Sequence, residues 1–211
     1  HSIARARNGS IYAWGFNLLA QIGTTESDLC HTSAWLPCLM SPVLVSGATG
    51  AIAAGGKHNV TLDSVGTLQV WGDNGYGQLG TADAGECWVS GDSAPNPCSH
   101  FVLTLSGLPP VSMVAGGLNH TVAVSTDGRL YAWGSNMDRQ LGVASSDGCQ
   151  PGATPPLPCS KPPLQVSSLS GVVLAAAGSR HTLAVLADGS VWSWGANASG
   201  QIGDGSFSAR S

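Results

Sequence analysis

Charge is what this sequence has least of. Asp, Glu, Lys and Arg together make up 9% of the 211 residues, against about 25% in an ordinary soluble domain. The eight Lys and Arg residues are dispersed and the formal net charge is −4. A phosphate-tracking surface needs clustered cations, so a nucleic-acid partner is not expected. No uninterrupted apolar run reaches the length of a membrane-spanning helix, and no insertion into a bilayer is expected. The start of the chain lacks the charged and apolar pattern of a signal peptide. The signatures of catalysis are missing too: no Gly-x-Ser-x-Gly elbow, no His-Glu-x-x-His, no phosphate loop and no Ser/His/Asp set. The twelve Asp and Glu lie scattered among turn residues rather than in pairs. The expectation is a non-enzyme with no cofactor and no catalytic or metal-ligating set.

Glycine and short apolar runs are what remain, with 29 Gly and 43% hydrophobic residues. Residues 68–80 read LQVWGDNGYGQLG, a strand-like run that stops at a tight, backbone-dominated loop. The same stretch returns as IYAWGFNLLAQIG at 11–23, LYAWGSNMDRQLG at 130–142 and VWSWGANASGQIG at 191–203. Trp14, Trp71, Trp133 and Trp194 therefore recur at intervals of about 60 residues, the signature of a repeat architecture. Before each of these tryptophans lies a hairpin, over 1–15, 58–72, 120–134 and 181–195. Its turn is marked by Asn8-Gly9, Gly66, Asp127-Gly128 or Asp188-Gly189. Val60 and Leu62, like Val122 and Val124, alternate with period two, which is a strand and not a helix. A polar, Pro-rich insertion then leads to an apolar run such as Pro42-Val43-Leu44-Val45 or Pro163-Leu164-Gln165-Val166. A small-residue strand follows, at 51–55, 111–117 and 172–178. Four short antiparallel strands in about 50–60 residues is the scale of a β-propeller blade. The chain divides into units of about 1–57, 58–119, 120–180 and a partial 181–211, all within one propeller segment.

The pattern Ala54-Gly55, His58, Gly66, Trp71-Gly72, Asn74, Gln78-Leu79-Gly80, repeated in phase, resembles the regulator of chromosome condensation repeat. That resemblance covers essentially the whole chain. It implies an all-β propeller, usually seven-bladed in that family, with blade boundaries offset from the sequence repeat. About three and a half blades are present. Joining the two ends of the chain leaves one blade with two strands, so an open arc with unpaired edges is expected. Self-association through those ends is one way such edges are covered. The family includes a nucleotide-exchange factor for a small GTPase, an ultraviolet receptor of plants and a secreted bacterial inhibitor of β-lactamases. The receptor pattern calls for Gly-Trp-Arg-His clusters. The matching segments here are Gly55-Gly56-Lys57-His58, Gly117-Leu118-Asn119-His120 and Gly178-Ser179-Arg180-His181.

Three inserts depart from the repeat, each carrying two cysteines: Cys30 and Cys38, Cys87 and Cys98, Cys149 and Cys159. Each first Cys stands at the same distance from the closing Gly, and each second one follows a Pro. As disulfides they close short loops within one insert, worth ~2–3 kcal/mol each on a chain-entropy view, and imply an oxidising compartment. As metal ligands they need further partners and closer spacing. His31 and His100 lie near a cysteine, but the third insert has no histidine. The repetition favours local disulfides. His1, His58, His120 and His181 occupy one repeat position, as do the four Trp-Gly tryptophans, so each set has a structural reading, in packing and hydrogen bonding between blades. Trp35 and Trp88 lie inside the inserts and outside the repeat grammar. Each is either an anchor for a partner or a cover for its own disulfide.

The function expected is that of a secreted or cell-surface, non-enzymatic scaffold presenting disulfide-braced loops to a protein partner. The alternatives are a structural subunit of a surface layer, filament or adhesin, and, more weakly, a carbohydrate-binding or carbohydrate-active protein.

Overall fold

The computed structural model describes residues 1–30, 36–89, 94–149 and 154–210. Among them there is no helix. The first sheet holds β1 (Ser2–Arg5), β2 (Ile11–Phe16), β3 (Asp28–Cys30) and β4 (Leu36–Leu44) in the order β1-β2-β4-β3. The second holds β5 (Ala51–Ala54), β6 (His58–Leu62), β7 (Leu68–Asp73), β8 (Glu86–Cys87) and β9 (Asn96–Leu105), ordered β5-β6-β7-β9-β8. The third repeats this with β10 (Val111–Gly116), β11 (His120–Ser125), β12 (Leu130–Ser135), β13 (Asp147–Cys149) and β14 (Leu157–Gln165), ordered β10-β11-β12-β14-β13. The fourth has β15 (Val172–Ala177), β16 (His181–Leu186) and β17 (Val191–Gly195). All named pairings are antiparallel.

Four strands per blade were expected, and each insert adds a further one, a fifth in the second and third blades. β3, β8 and β13 each run two or three residues along the outer strand of their blade. The strands β4, β9 and β14 lie between β2, β7 or β12 and the added strand, and they tolerate Pro37, Pro97 and Pro158 because each stands one residue past the last ladder partner of β2, β7 or β12. There only its carbonyl is used, accepting the N–H of Asn17, Asn74 or Asn136 at 2.9 Å. The blades stack side by side, with β5 beside β1 and β10, and β10 beside β15.

The core lies between blades, a direct consequence of the period-two pattern. Val60, Leu68, Val70 and Leu79 of the second blade meet Val111, Ala123 and Trp133 of the third. Val122, Val124, Leu130 and Ala132 of the third meet Ala175, Ala184 and Trp194 of the fourth. The arc is open. On the fourth blade Val191 and Leu174 are 66% and 54% exposed, and Leu183 and Val185 half-buried. The counterparts of Val191, Leu183 and Val185 on the third blade, Leu130, Val122 and Val124, are sealed by its neighbour.

The glycines of the motif follow from close approach. In β12 the register shifts between Ala132 and Gly134, and Gly134 adopts φ +99°, a left-handed value costly for other residues. A Cβ on Gly142 would stand 2.7 Å from Trp194 Nε1 of the next blade. The third strand can therefore bend, and the neighbouring indole can slide under the loop, only where both residues are glycine.

Candidate binding face and the latch beneath it

Antiparallel pairing puts the end of each inner strand, the start of the second, the end of the third and the start of the outer strand on one face. That face carries the Ala-Gly-x-x-His segments near the inner strands, the Trp-Gly-x-Asn loops farther out and the Cys-bearing inserts at the rim. The hairpin turns at Gly66, Gly128 and Gly189 lie on the opposite face.

The loops are organised from within. Asn136 accepts the Leu141 N–H through Oδ1 at 3.2 Å and donates through Nδ2 to the Val143 carbonyl at 2.9 Å. Gln140 Oε1 accepts the Asp138 N–H at 2.9 Å. Asn74 and Gln78 do the same in the second blade, toward Leu79, Thr81 and Tyr76. The Gln backbone carbonyl is thereby aimed at the next blade. Gln78 O accepts from Trp133 Nε1 and from Thr121 Oγ1, both at 2.9 Å. Gln140 O accepts from Trp194 Nε1 at 3.0 Å and Thr182 Oγ1 at 2.8 Å.

Each of these threonines spends its proton on the Gln carbonyl, so the histidine facing it must be the donor. His58 Nε2 lies 2.9 Å from Thr121 Oγ1, and His120 Nε2 lies 3.1 Å from Thr182 Oγ1. This fixes the Nε2–H tautomer and leaves Nδ1 bare; neither His58 Nδ1 nor His120 Nδ1 has a partner among the described residues. A second proton would create a buried charge with nothing to receive it. Burial, and secondarily the neighbouring His120, lowers the His58 pKa to about 3. Burial, and secondarily His181, lowers that of His120 to about 4. Between the first two blades the latch is altered. His1 Nε2 bonds Asn59 Oδ1 at 2.9 Å, and Asn59 Nδ2 takes the Gln21 carbonyl at 2.7 Å. Trp71 Nε1 is then left without a partner among the described residues. Trp14 and His181, on the outermost blades, are half-buried.

At the rim the structure joins Cys30 to Cys38, Cys87 to Cys98 and Cys149 to Cys159, with Cα separations of 5.7, 5.7 and 5.9 Å. The bonds tie each added strand to the outer strand it pairs with. Trp88 is 72% exposed beside Cys87, too open to serve as a lid on that disulfide. Trp35 and His31 lie outside the described residues. From the sequence His100 was only a histidine near a cysteine. Its Nε2 is 3.3 Å from Cys87 Sγ and its Nδ1 3.2 Å from the Thr24 carbonyl of the first blade. The side-by-side packing of blades, which no local pattern reveals, creates that meeting.

The molecule is thus an open β-propeller built on a Trp–Gln–Thr–His latch. Residues 66–124 and 127–185 match the Regulator of chromosome condensation (RCC1) repeat, and a second form of that repeat matches 51–78, 111–140 and 172–201. The chain belongs to this family. It is 31% identical to the Ultraviolet-B receptor UVR8 of Arabidopsis thaliana, over 97% of this chain and 41% of that one. It is 29% identical to the E3 ubiquitin-protein ligase HERC2 of Homo sapiens, over 99% of this chain and 4% of the relative. Among solved structures it is similar to Prp20p from Saccharomyces cerevisiae. The TM-score there is 0.72 and the identity 23%, over 98% of this chain and 46% of the other. The chain spans less than half the length of each of these relatives.

Proposed function

We propose that this propeller segment is a non-enzymatic scaffold that engages a protein partner through the disulfide-braced inserts at the rim of one face. The carrying observation is the division of labour along each blade. The repeated Asn and Gln side chains of the Trp-Gly-x-Asn and Gln-x-Gly grammar spend their amide oxygens on N–H groups of their own loops, and the Gln78 and Gln140 backbone carbonyls are spent on the neighbouring blade. The inserts stand outside that grammar and are separately braced, and the middle one holds Trp88 open to solvent. An indole next to a disulfide-tethered residue offers a large apolar surface on a side chain with few rotors, the profile of an interface anchor. The solved structure of Prp20p describes binding to Gsp1p and histones, so a related propeller serves protein recognition. Three disulfides suit an oxidising compartment, and secretion or display at a cell surface is part of the proposal.

The test is site-specific photo-crosslinking in the protein's own milieu. A photoreactive side chain at position 88 should give a discrete heteromeric adduct. The same group at Val65, 73% exposed on the opposite face, should give none. Equal labelling from both positions contradicts the proposal. A second reading, self-association into a structural assembly, rests on the uncovered Val191 and Leu174 of the fourth blade. Concentration-dependent sedimentation that disappears in Val191→Asp would favour it.

A further inference from the structure

We propose that the middle insert, once its disulfide is reduced, forms a Cys2His site for a thiophilic divalent cation of the Zn2+ class, made by Cys87, Cys98 and His100. The three ligand atoms already lie within 4.8 Å of one another. Cys98 and His100 are two residues apart on β9, so their side chains leave the strand on the same side. Cys87 faces them from β8, its Cα 5.7 Å from that of Cys98. Zinc takes thiolate at about 2.3 Å and imidazole at about 2.0 Å in tetrahedral geometry. Two thiolates on this backbone spacing and the Nε2 lone pair can meet that demand with a small separation of the sulfurs.

The histidine is oriented for the task. Nδ1–H donates to the Thr24 carbonyl at 3.2 Å, which leaves Nε2 unprotonated and facing Cys87 Sγ at 3.3 Å. A backbone carbonyl holding the far nitrogen is the outer-shell arrangement of metal-binding histidines. Thr24 comes from the neighbouring blade, so the ring is positioned by blade packing and not by the insert alone. Around the sulfurs, Leu19, Ala20 and Val89 form an apolar wall. The other inserts differ at this position: Met40 and Lys161 stand where His100 does, two residues after Cys38 and Cys159.

The chemistry balances with a thiol or phosphine as reductant. Two electrons and two protons convert the S–S bond to two thiols while the reductant is oxidised. Cation binding then displaces one proton from each thiol, leaving two thiolates, a neutral imidazole and a fourth position for water. The insert would thus exchange a covalent brace for a metal brace when its surroundings become reducing.

Full-length protein, reduced with a phosphine and freed of it under anaerobic conditions, would be titrated with Co2+ as the probe. One equivalent should develop the visible d–d bands of a tetrahedral thiolate site, bleached by one equivalent of Zn2+. His100→Met should weaken Co2+ binding by at least tenfold. The Cys149→Ser/Cys159→Ser variant should bind as the parent does, and oxidised protein should bind none. The proposal fails if His100→Met binds equally well, or if the bands follow the third insert. It also fails if reduced protein shows no tetrahedral bands, whether it keeps its β-sheet circular dichroism or loses it.

Discussion

Acid should unlatch this fold well above the range in which carboxylates titrate. His58 and His120 are buried as neutral Nε2–H tautomers, with pKa values lowered to about 3 and about 4 by burial first and a neighbouring histidine second. In the unfolded chain both return to the ordinary 6.5. Between these limits the unfolded state binds more protons, so stability rises with pH. The contribution is fully present above about pH 6.5 and is lost as pH falls toward the folded values. From pH 7 to pH 5 each histidine forfeits ~2 kcal/mol, and near pH 5 the slope for the two together approaches about 2.5 kcal/mol per pH unit. That is a large share of the 5–15 kcal/mol typical of a domain. Asp73, raised chiefly by burial, acts with the opposite sign above its ordinary 3.8 and offsets part of this. The exposed Asp63, Asp127 and Asp188 have lowered values and act only at and below 3.8. Urea unfolding followed by tryptophan fluorescence at pH 7, 6 and 5 measures the slope directly. His58→Gln/His120→Gln keeps an amide donor toward each threonine and should start less stable but lose most of the pH dependence. A parent protein equally stable at pH 7 and pH 5, or a double variant with the parent's slope, refutes the reasoning.

Two of the buried Trp-Gly tryptophans should respond differently to one chemical change. Trp133→Phe loses a bond to Gln78 and should cost about 1 kcal/mol more than Trp71→Phe, whose indole N–H has no partner to lose, as read from chemical denaturation. Trp133→Ala should cost ~3–5 kcal/mol through the cavity it opens. Gly142→Ala places a Cβ 2.7 Å from Trp194 Nε1 at φ +68°, and a loss of ~1–3 kcal/mol with a changed near-ultraviolet circular dichroism spectrum is expected. Cys149→Ser/Cys159→Ser removes a brace worth ~3 kcal/mol or less. Hydrogen exchange should quicken within β13 and the start of β14 while β11 keeps its protection.

Local grammar made much of this fold legible. Asp127-Gly128 between alternating apolar residues specifies a hairpin from a few residues, and Trp133-Gly134 ends it with a glycine that only a bulge requires. The added strands were hidden because β8 is two residues long with no alternation. It is a strand only because β9 offers an edge and Cys98 a tether. β14 was legible only in its second half: Pro158 reads as a break, yet it lies one residue past the β12 ladder, where no N–H is called for and its carbonyl accepts from Asn136. The Asn and Gln of the motif announced a loop, yet the backbone carbonyl they aim leaves no mark on the residue alphabet. His100 was visible as a neighbour of a cysteine, but its contact with the first blade was hidden for the same reason, since Thr24 reaches it only through the stacking of blades.

Recognition by the rim is the central claim, and the affinity of the Trp88→Ala variant for the partner crosslinked at position 88 tests it most directly. A central anchor carries at least ~1.4 kcal/mol, so affinity should fall about tenfold or more. The unfolding midpoint should stay put, because the side chain is 72% exposed and outside the latch. Unchanged affinity in Trp88→Ala, with binding abolished instead by Val65→Asp on the opposite face, would contradict the account.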